Sequence, residues 1–203
     1  MIFADPYFLR DDDYRRGLVR EMRPRGLQAG FHHARLRDIH PDVRARLQPI
    51  AVVRNPFSRT FSRFTFGQKQ AERLGQPVDY SPAAFAQFLE GRHDCGGLPY
   101  YWHRAISGWY PQFDYVTDEH DTMRCHILRQ ETLGDELIRY FGIGNLPRTN
   151  TSGRTAPHYR DVYTDETRQI VADWYAKDIE MFGFEFEGPA RRNFHFESAL
   201  TRT

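Results

Sequence analysis

One short junction constrains the fold of this chain more than any other feature. Residues 49–53 read PIAVV, a run rich in β-branched residues that is typical of a strand buried on both faces of a parallel sheet. Arg54 and Asn55 follow, and Pro56 then suits the first turn of a helix. A helix is predicted over residues 56–73, with phenylalanine repeating on one side at Phe57, Phe61 and Phe64. The chain must therefore pass from a buried strand into an amphipathic helix within two residues.

The rest of the chain alternates predicted strands with predicted helices. Short apolar runs predict strands at residues 113–116 and 125–128. Caps, apolar spacing and terminal glycines predict helices over residues 82–90, 131–141 and 164–183. This alternation is typical of an α/β domain with a mostly parallel sheet.

The remaining segments carry weaker signals. Residues 1–30 are charged and irregular, with a helix predicted over 14–22, and residues 33–47 are predicted to form two short helices because Pro41 interrupts them. Long loops are predicted over residues 91–111 and 145–159, and a loosely held tail over 188–203.

Composition limits the classes of protein that are compatible with this chain. Its 203 residues suit one domain over 1–203, and 40% hydrophobic and 15% aromatic residues exclude a disordered chain. A net charge of +1 argues against a nucleic-acid binder. Asp5 and Pro6 interrupt the first apolar run, so we expect no signal peptide. No stretch approaches the ~18 apolar residues of a membrane-spanning helix, so we expect no membrane span. Because Cys95 and Cys125 are the only cysteines, we expect a reducing, cytoplasmic location.

The end of the predicted strand offers groups that bind phosphate. In open α/β sheets, ligands bind at the carboxyl ends of the strands. Arg54 presents a rigid set of N–H donors there, Ser62 adds a hydroxyl, and the start of the helix offers free backbone N–H groups. An ordinary strand-to-helix junction with a surface arginine fits the same residues equally well.

Four motifs resemble those of one enzyme family. Residues 53–62 read Val-Arg-Asn-Pro-x-x-Arg-x-x-Ser, which resembles the 3′-phosphate motif of carbohydrate sulfotransferases that use 3′-phosphoadenosine 5′-phosphosulfate (PAPS). The similarity is greatest to sulfotransferase family 2, which includes heparan and chondroitin sulfotransferases. Residues 127–133 (ILRQETL), 146–152 (LPRTNTS) and 159–186 resemble three further elements of that group, in the same order. Together the motifs cover roughly residues 30–186.

The resemblance implies a fold and a cofactor site. The fold would be a three-layer P-loop-type α/β domain with a mostly parallel central sheet. Arg54 and Ser62, with Arg59 beside them, would bind the 3′-phosphate of PAPS. The loop that contains Asn150 and Ser152, together with Tyr159, would close over the nucleotide. A sulfuryl group would pass to a hydroxyl of a carbohydrate, leaving 3′-phosphoadenosine 5′-phosphate.

One element of the family pattern has no counterpart in these residues. The family begins with a strand and a Lys-x-Gly/Ala-x-Thr-Ser loop that holds the 5′-phosphosulfate. Residues 1–5 suit a first strand, but residues 6–13 contain no glycine, lysine or serine, and the two lysines, Lys69 and Lys177, lie elsewhere. We expect that the true start lies upstream of Met1; the alternative is that the loop has degenerated.

Transfer to a hydroxyl also needs a base and an acceptor site. Histidine suits the base because its free pKa is near 6.5. His32 and His33 resemble a histidine pair that acts near the acceptor in heparan-type relatives, and His103 is a rival; either could instead cap or pack against a helix. The acceptor sugar would stack on aromatic residues beside a basic one, unless these merely pack in the core: Tyr100, Tyr101, Trp102 and Arg104.

Two alternatives to catalysis fit the same sequence. One is a sulfotransferase-like module that binds a nucleotide or a glycan without turnover, and the other is a structural α/β domain with no ligand. The cluster of His93, Asp94 and Cys95 fits no standard zinc spacing, so we expect no metal site. Cys125 and His126 are expected to be structural. The expected partner is a carbohydrate acceptor rather than nucleic acid, and the oligomeric state stays open.

Overall fold

A computed structural model describes residues 35–39, 41–46, 48–97, 101, 104–142 and 156–188. The predicted segments at residues 1–5, 1–30 and 14–22 and most of the tail lie outside these ranges. The helices are α1 (Pro41–Arg46), α2 (Pro56–Arg73), α3 (Pro82–Cys95), α4 (Arg104–Ser107), α5 (Phe113–Val116), α6 (Leu133–Phe141), α7 (Tyr159–Val162), α8 (Asp165–Trp174) and α9 (Ala176–Phe182). Single 3-10 turns occur at Leu36–Asp38 and Gln130–Thr132.

Two strands pair in parallel, which confirms the α/β class. Strand β1 (Ile50–Val53) lies beside β2 (His126–Arg129), with Ile50 opposite His126 and Val53 opposite Arg129. The strands predicted at residues 49–53 and 125–128 are confirmed, the second displaced by one residue. The described residues are mostly helical around this small sheet, and a three-layer P-loop-type arrangement stays a prediction.

The first strand is covered on both faces, as its apolar run predicts. Ala51 and Val53 are fully buried and belong to one cluster with Val116 and Ile127. Val52 points to the opposite face, where side chains of α6 pack over it. A strand enclosed in this way cannot move without opening two parts of the core.

The strand predicted at residues 113–116 is wrong, because this segment is the single helical turn α5. The amide N–H groups of Gln112 and Phe113 donate to the carboxylate of Asp178 at 2.9 and 2.7 Å. That carboxylate satisfies donors at the start of the turn, which a strand would have directed to a neighbouring strand. A contact distant in sequence thus overrides the local preference of aromatic and β-branched residues for strands.

The helix predictions are largely confirmed, with changes at their ends. Helix α2 spans the predicted residues, whereas α3 continues to Cys95 and takes up the first residues of the predicted 91–111 loop. The long helix that was predicted to end at Gly183 is divided at the buried Tyr175 into α8 and α9. Gly183 ends α9 with φ of 67°, the left-handed conformation that glycine adopts readily.

An aromatic cluster joins the helices beside the sheet. Phe57, Phe61 and Phe64 of α2 are buried against Phe85 of α3 and Tyr175. Several of these rings meet edge to face, the arrangement that aromatic pairs favour. Within the part of the chain that the structure describes, no helix is both long enough and apolar enough to cross a membrane.

The residues that cap α2 and α3 differ in the number of segments to which their side chains bond. The Asn55 side chain accepts a hydrogen bond from the Phe57 N–H at 3.0 Å and donates one to the Glu185 carbonyl at 2.7 Å. Ser81 caps α3 with one bond, accepted from the Ala84 N–H at 3.2 Å. Asn55 is therefore both a helix cap and a tie to the segment that follows α9.

This difference predicts unequal losses of stability. Asn55→Ala should lower the free energy of unfolding by about 2–3 kcal/mol, because it removes a cap and leaves the Glu185 carbonyl without its partly buried hydrogen bond. Ser81→Ala is the matched control and should cost about 1 kcal/mol. Urea unfolding measures both values, and equal losses would contradict the second role of Asn55.

Candidate anion-binding site

Parallel pairing brings the carboxyl ends of β1 and β2 to the same edge of the sheet. Arg54 follows β1 directly, and Glu131 lies two residues beyond Arg129, the last residue of β2. Helix α2 begins at this edge. The candidate site is therefore formed where two strands end and one helix starts, which is where open α/β sheets bind ligands.

The guanidinium of Arg54 is bonded to one side chain, and its terminal amino groups bond to no other described residue. Its Nε donates to Ser58 Oγ at 2.9 Å, and Ser58 Oγ donates to the Asn55 carbonyl at 3.2 Å. Among the described residues, no hydrogen bond involves the two terminal amino groups of Arg54. Burial lowers the pKa of Arg54, and the nearby charge of Glu131 opposes that shift. A partly desolvated cation with open donors suits an anion.

The row of polar groups continues along α2. Arg54, Ser58 and Ser62 are spaced four residues apart, so Ser58 and Ser62 share one helical face. Ser62 is half-buried, and its hydroxyl makes no hydrogen bond to another described residue. The structure thus places Ser58 against Arg54 and Ser62 one turn further along the same face, and a shared contact of Arg54 and Ser62 with phosphate stays a prediction. The structure adds Ser58, which the regular spacing of four could have indicated.

The backbone at the start of α2 contributes less than the sequence predicts. Pro56 has no N–H, the Phe57 N–H is bonded to the Asn55 side chain, and the Arg59 N–H is bonded to the Asn55 carbonyl at 2.8 Å. The expectation of several free amides is therefore confirmed for one only, because the Ser58 N–H makes no hydrogen bond to another described residue. Side chains, together with this single amide, are the donors that an anion could use here.

Arg59 makes its observed contacts elsewhere. Its guanidinium donates to the carbonyls of Tyr110 and Ser107 at 3.0 and 3.4 Å, and it lies over the ring of Tyr175 at 5.5 Å. These contacts join α2 to the turn after α4. The phosphate contact of Arg59 stays a prediction.

Glu131 places a negative charge beside the site. Its Oε1 accepts a hydrogen bond from the Asn55 N–H at 2.7 Å, so it fixes the backbone between β1 and α2. The side chain is exposed, and its charge favours the charged form of Arg54. Sequence reasoning missed Glu131 because its partner lies 76 residues away.

Other predicted site residues are either part of the core or outside the described ranges. The Tyr159 hydroxyl donates to the Phe186 carbonyl at 2.6 Å. Arg35 lies 3.4 Å from the centre of the Tyr101 ring, which also contacts the ring of Tyr110. Binding of the nucleotide by Tyr159 and binding of the acceptor sugar by Tyr101 stay predictions. Outside the described residues lie His32, His33, Tyr100, Trp102, His103, Asn150, Ser152 and the side chain of Arg104.

The remaining histidines and cysteines form no metal centre in the described ranges. No group of three His, Cys, Asp or Glu side chains there is arranged to hold a metal ion, and both cysteines are free. Burial raises the pKa of Cys125 to about 12, so its thiol is unreactive at neutral pH. His126 is bonded to the Tyr140 hydroxyl, which gives it a structural role.

Comparisons with protein-family models, curated proteins and solved structures returned no match to this chain. The resemblance to sulfotransferases therefore rests on the four sequence motifs.

The charge of Glu131 predicts a measurable effect on anion affinity. Glu131→Gln keeps an oxygen that can accept from the Asn55 N–H but removes the negative charge. We expect the affinity for adenosine 3′,5′-bisphosphate to rise about two- to fivefold, a modest gain because Glu131 is exposed and screened. Calorimetry at low and high salt measures the effect, with the exposed and distant Glu72→Gln as control. An unchanged or weaker affinity would show that the anion does not bind near Glu131.

Proposed function

We propose that this protein is a PAPS-dependent carbohydrate sulfotransferase whose nucleotide 3′-phosphate binds at Arg54 and Ser62, with Ser58 orienting Arg54. The observation that supports the proposal most is the half-buried guanidinium of Arg54. Ser58 orients it at the carboxyl edge of a parallel sheet, and its terminal amino groups bond to no other described residue. The four sequence motifs, which follow the order seen in sulfotransferase family 2, indicate that the nucleotide is PAPS.

The geometry supports selection for a 3′-phosphate over nucleotides that lack one. A phosphate oxygen can accept from two guanidinium N–H groups at once, and a serine hydroxyl can donate to another oxygen. Adenosine 5′-monophosphate has no 3′-phosphate to accept hydrogen bonds from these donors. Discrimination between the two nucleotides is therefore the signature of the site.

The transfer step assigns roles to residues named from the sequence. PAPS supplies an activated sulfuryl group. A hydroxyl of the acceptor forms a bond to sulfur as the bond from sulfur to the 5′-phosphate oxygen breaks, and a base takes the hydroxyl proton. We assign that base to the His32–His33 pair, with His103 as the alternative. The aromatic residues from Tyr100 to Trp102 and Arg104 would hold the acceptor sugar.

Removal of the arginine tests the nucleotide site. Arg54→Ala should weaken binding of adenosine 3′,5′-bisphosphate by about 1.5–3 kcal/mol, or roughly 10- to 150-fold in Kd. Ser62→Ala should cost about 1 kcal/mol. Neither change should alter the weaker binding of adenosine 5′-monophosphate. Titration calorimetry measures the affinity of the wild type and of each variant for both nucleotides.

The matched control is Arg73→Ala, at the far end of the same helix. Helix α2 has 18 residues and is about 27 Å long, so Arg73 changes the net charge equally without reaching the site. Equal affinities of the wild type and the Arg54 variant for the bisphosphate, or an equal loss in the Arg73 variant, would contradict the proposal.

A transfer assay separates the enzyme from a binding module. With labelled PAPS and a panel of glycans, the 203 residues should bind the nucleotide but transfer slowly, because they contain no Lys-x-Gly-x-Thr-Ser loop. A form extended upstream to include such a loop should transfer, and His33→Ala in that form should lower turnover by roughly 10²–10⁴ with nucleotide affinity unchanged. Nucleotide binding without transfer in both forms would favour the non-catalytic module, and a larger loss in His103→Ala would move the base there.

A further inference from the structure

We propose that Gln112, held in place by Asp178, is the positioning residue that fixes Arg54 for anion binding. The inference deepens the proposed function and rests on it for the identity of the anion. Gln112 is 4% exposed and Asp178 is 0% exposed, so neither side chain is placed to touch a bound nucleotide. Their effect on binding has to pass through Arg54.

The side-chain amide of Gln112 takes the place of a neighbouring strand at Arg54. Its Oε1 accepts from the Arg54 N–H at 2.8 Å, and its Nε2 donates to the Arg54 carbonyl at 2.7 Å. Both main-chain polar groups of Arg54 are satisfied by one side chain from 58 residues away. With the backbone fixed and Nε bonded to Ser58, little freedom remains for the guanidinium.

Asp178 determines which way the amide of Gln112 faces. Its Oδ2 accepts from Gln112 Nε2 at 3.2 Å and from the Gln112 N–H at 2.9 Å, while Oδ1 accepts from the Phe113 N–H at 2.7 Å. A reversed amide would direct oxygen at the Asp178 carboxylate and at the Arg54 carbonyl, which is doubly unfavourable. The observed orientation is thus the one that matches both main-chain groups of Arg54.

The buried carboxylate would be costly without this arrangement. Burial raises the pKa of Asp178, whereas the charge of Arg59 and the three N–H donors from Gln112 and Phe113 oppose the shift. Three donors converge on one carboxylate in the core, an arrangement that holds the turn at residues 111–113 in a single geometry. Helix α9 is therefore connected to the anion site through Asp178, Gln112 and Arg54.

The test uses nucleotide selectivity and a double-mutant cycle. Gln112→Met preserves length and apolar volume but removes both bonds to Arg54. We expect its affinity for adenosine 3′,5′-bisphosphate to fall about tenfold, and its affinity for adenosine 5′-monophosphate to stay the same. In an Arg54→Ala background the same change should cause no further loss, because the group that Gln112 positions is gone.

A stability control distinguishes positioning from general damage. Leu89→Ala removes a buried side chain of α3 that belongs to the aromatic cluster, so it should destabilise the protein without changing bisphosphate affinity. Equal weakening of both nucleotides by Gln112→Met, or a loss that adds in full to that of Arg54→Ala, would overturn the inference.

A ligand-free measurement keeps the inference separable from the proposed function. In the free wild-type protein, the Arg54 Nε–H bonded to Ser58 should give an NMR signal well resolved from those of exposed arginines, and Gln112→Met should collapse it toward them. If wild type shows no preference for the bisphosphate, the proposed function fails, and this signal alone decides the inference: collapse supports it and an unchanged signal overturns it. If Gln112→Met does not fold, Asp178→Asn is measured in its place with the same two outcomes.

Discussion

The polar main chain between β1 and α2 has to find hydrogen-bond partners where the sheet ends, and much of the surrounding structure supplies them. The Gln112 side chain accepts a hydrogen bond from the Arg54 N–H and donates one to the Arg54 carbonyl, and Glu131 accepts from the Asn55 N–H. The Glu185 carbonyl accepts from the Asn55 side chain. Buried backbone groups without partners are costly, so these three distant segments must converge on two residues. The same convergence holds Arg54 at the sheet edge, where its terminal amino groups bond to no other described residue.

Helix α2 packs into the core with one face and presents the candidate anion-binding serines on another. Phe57, Phe61 and Phe64 enter the aromatic cluster, where burial of their rings contributes to stability. Ser58 and Ser62 lie on the polar row that begins at Arg54. The phenylalanines and the serines occupy different faces of one rigid helix. The packing of the phenylalanines therefore also fixes the spacing of the serines that are candidates for anion binding.

Local signals in the sequence predicted the elements, and distant contacts account for the errors. The β-branched run before Arg54, the proline after Asn55 and the glycine at residue 183 each act within a few residues, so β1, α2 and the end of α9 were predictable. The turn α5 was not, because the carboxylate that caps it lies 65 residues away. Gln112 and Glu131 were missed for the same reason. Arg54 and Ser62 could be named as candidates because a motif records their spacing directly, and their role stays a prediction.

The long separations between partners have a consequence for how the chain folds. Parallel pairing of β1 with β2 closes a loop of more than 70 residues, and the bond from Asn55 to Glu185 spans 130. Ordering so much chain before the contact is made costs entropy and slows folding. During synthesis on the ribosome, Arg54 and Asn55 emerge early, but Asn55 gains its bond to Glu185 only when the segment after α9 has left the exit tunnel. The candidate anion site is thus among the last parts of the molecule to mature, and we expect its geometry to form only when the chain is nearly complete.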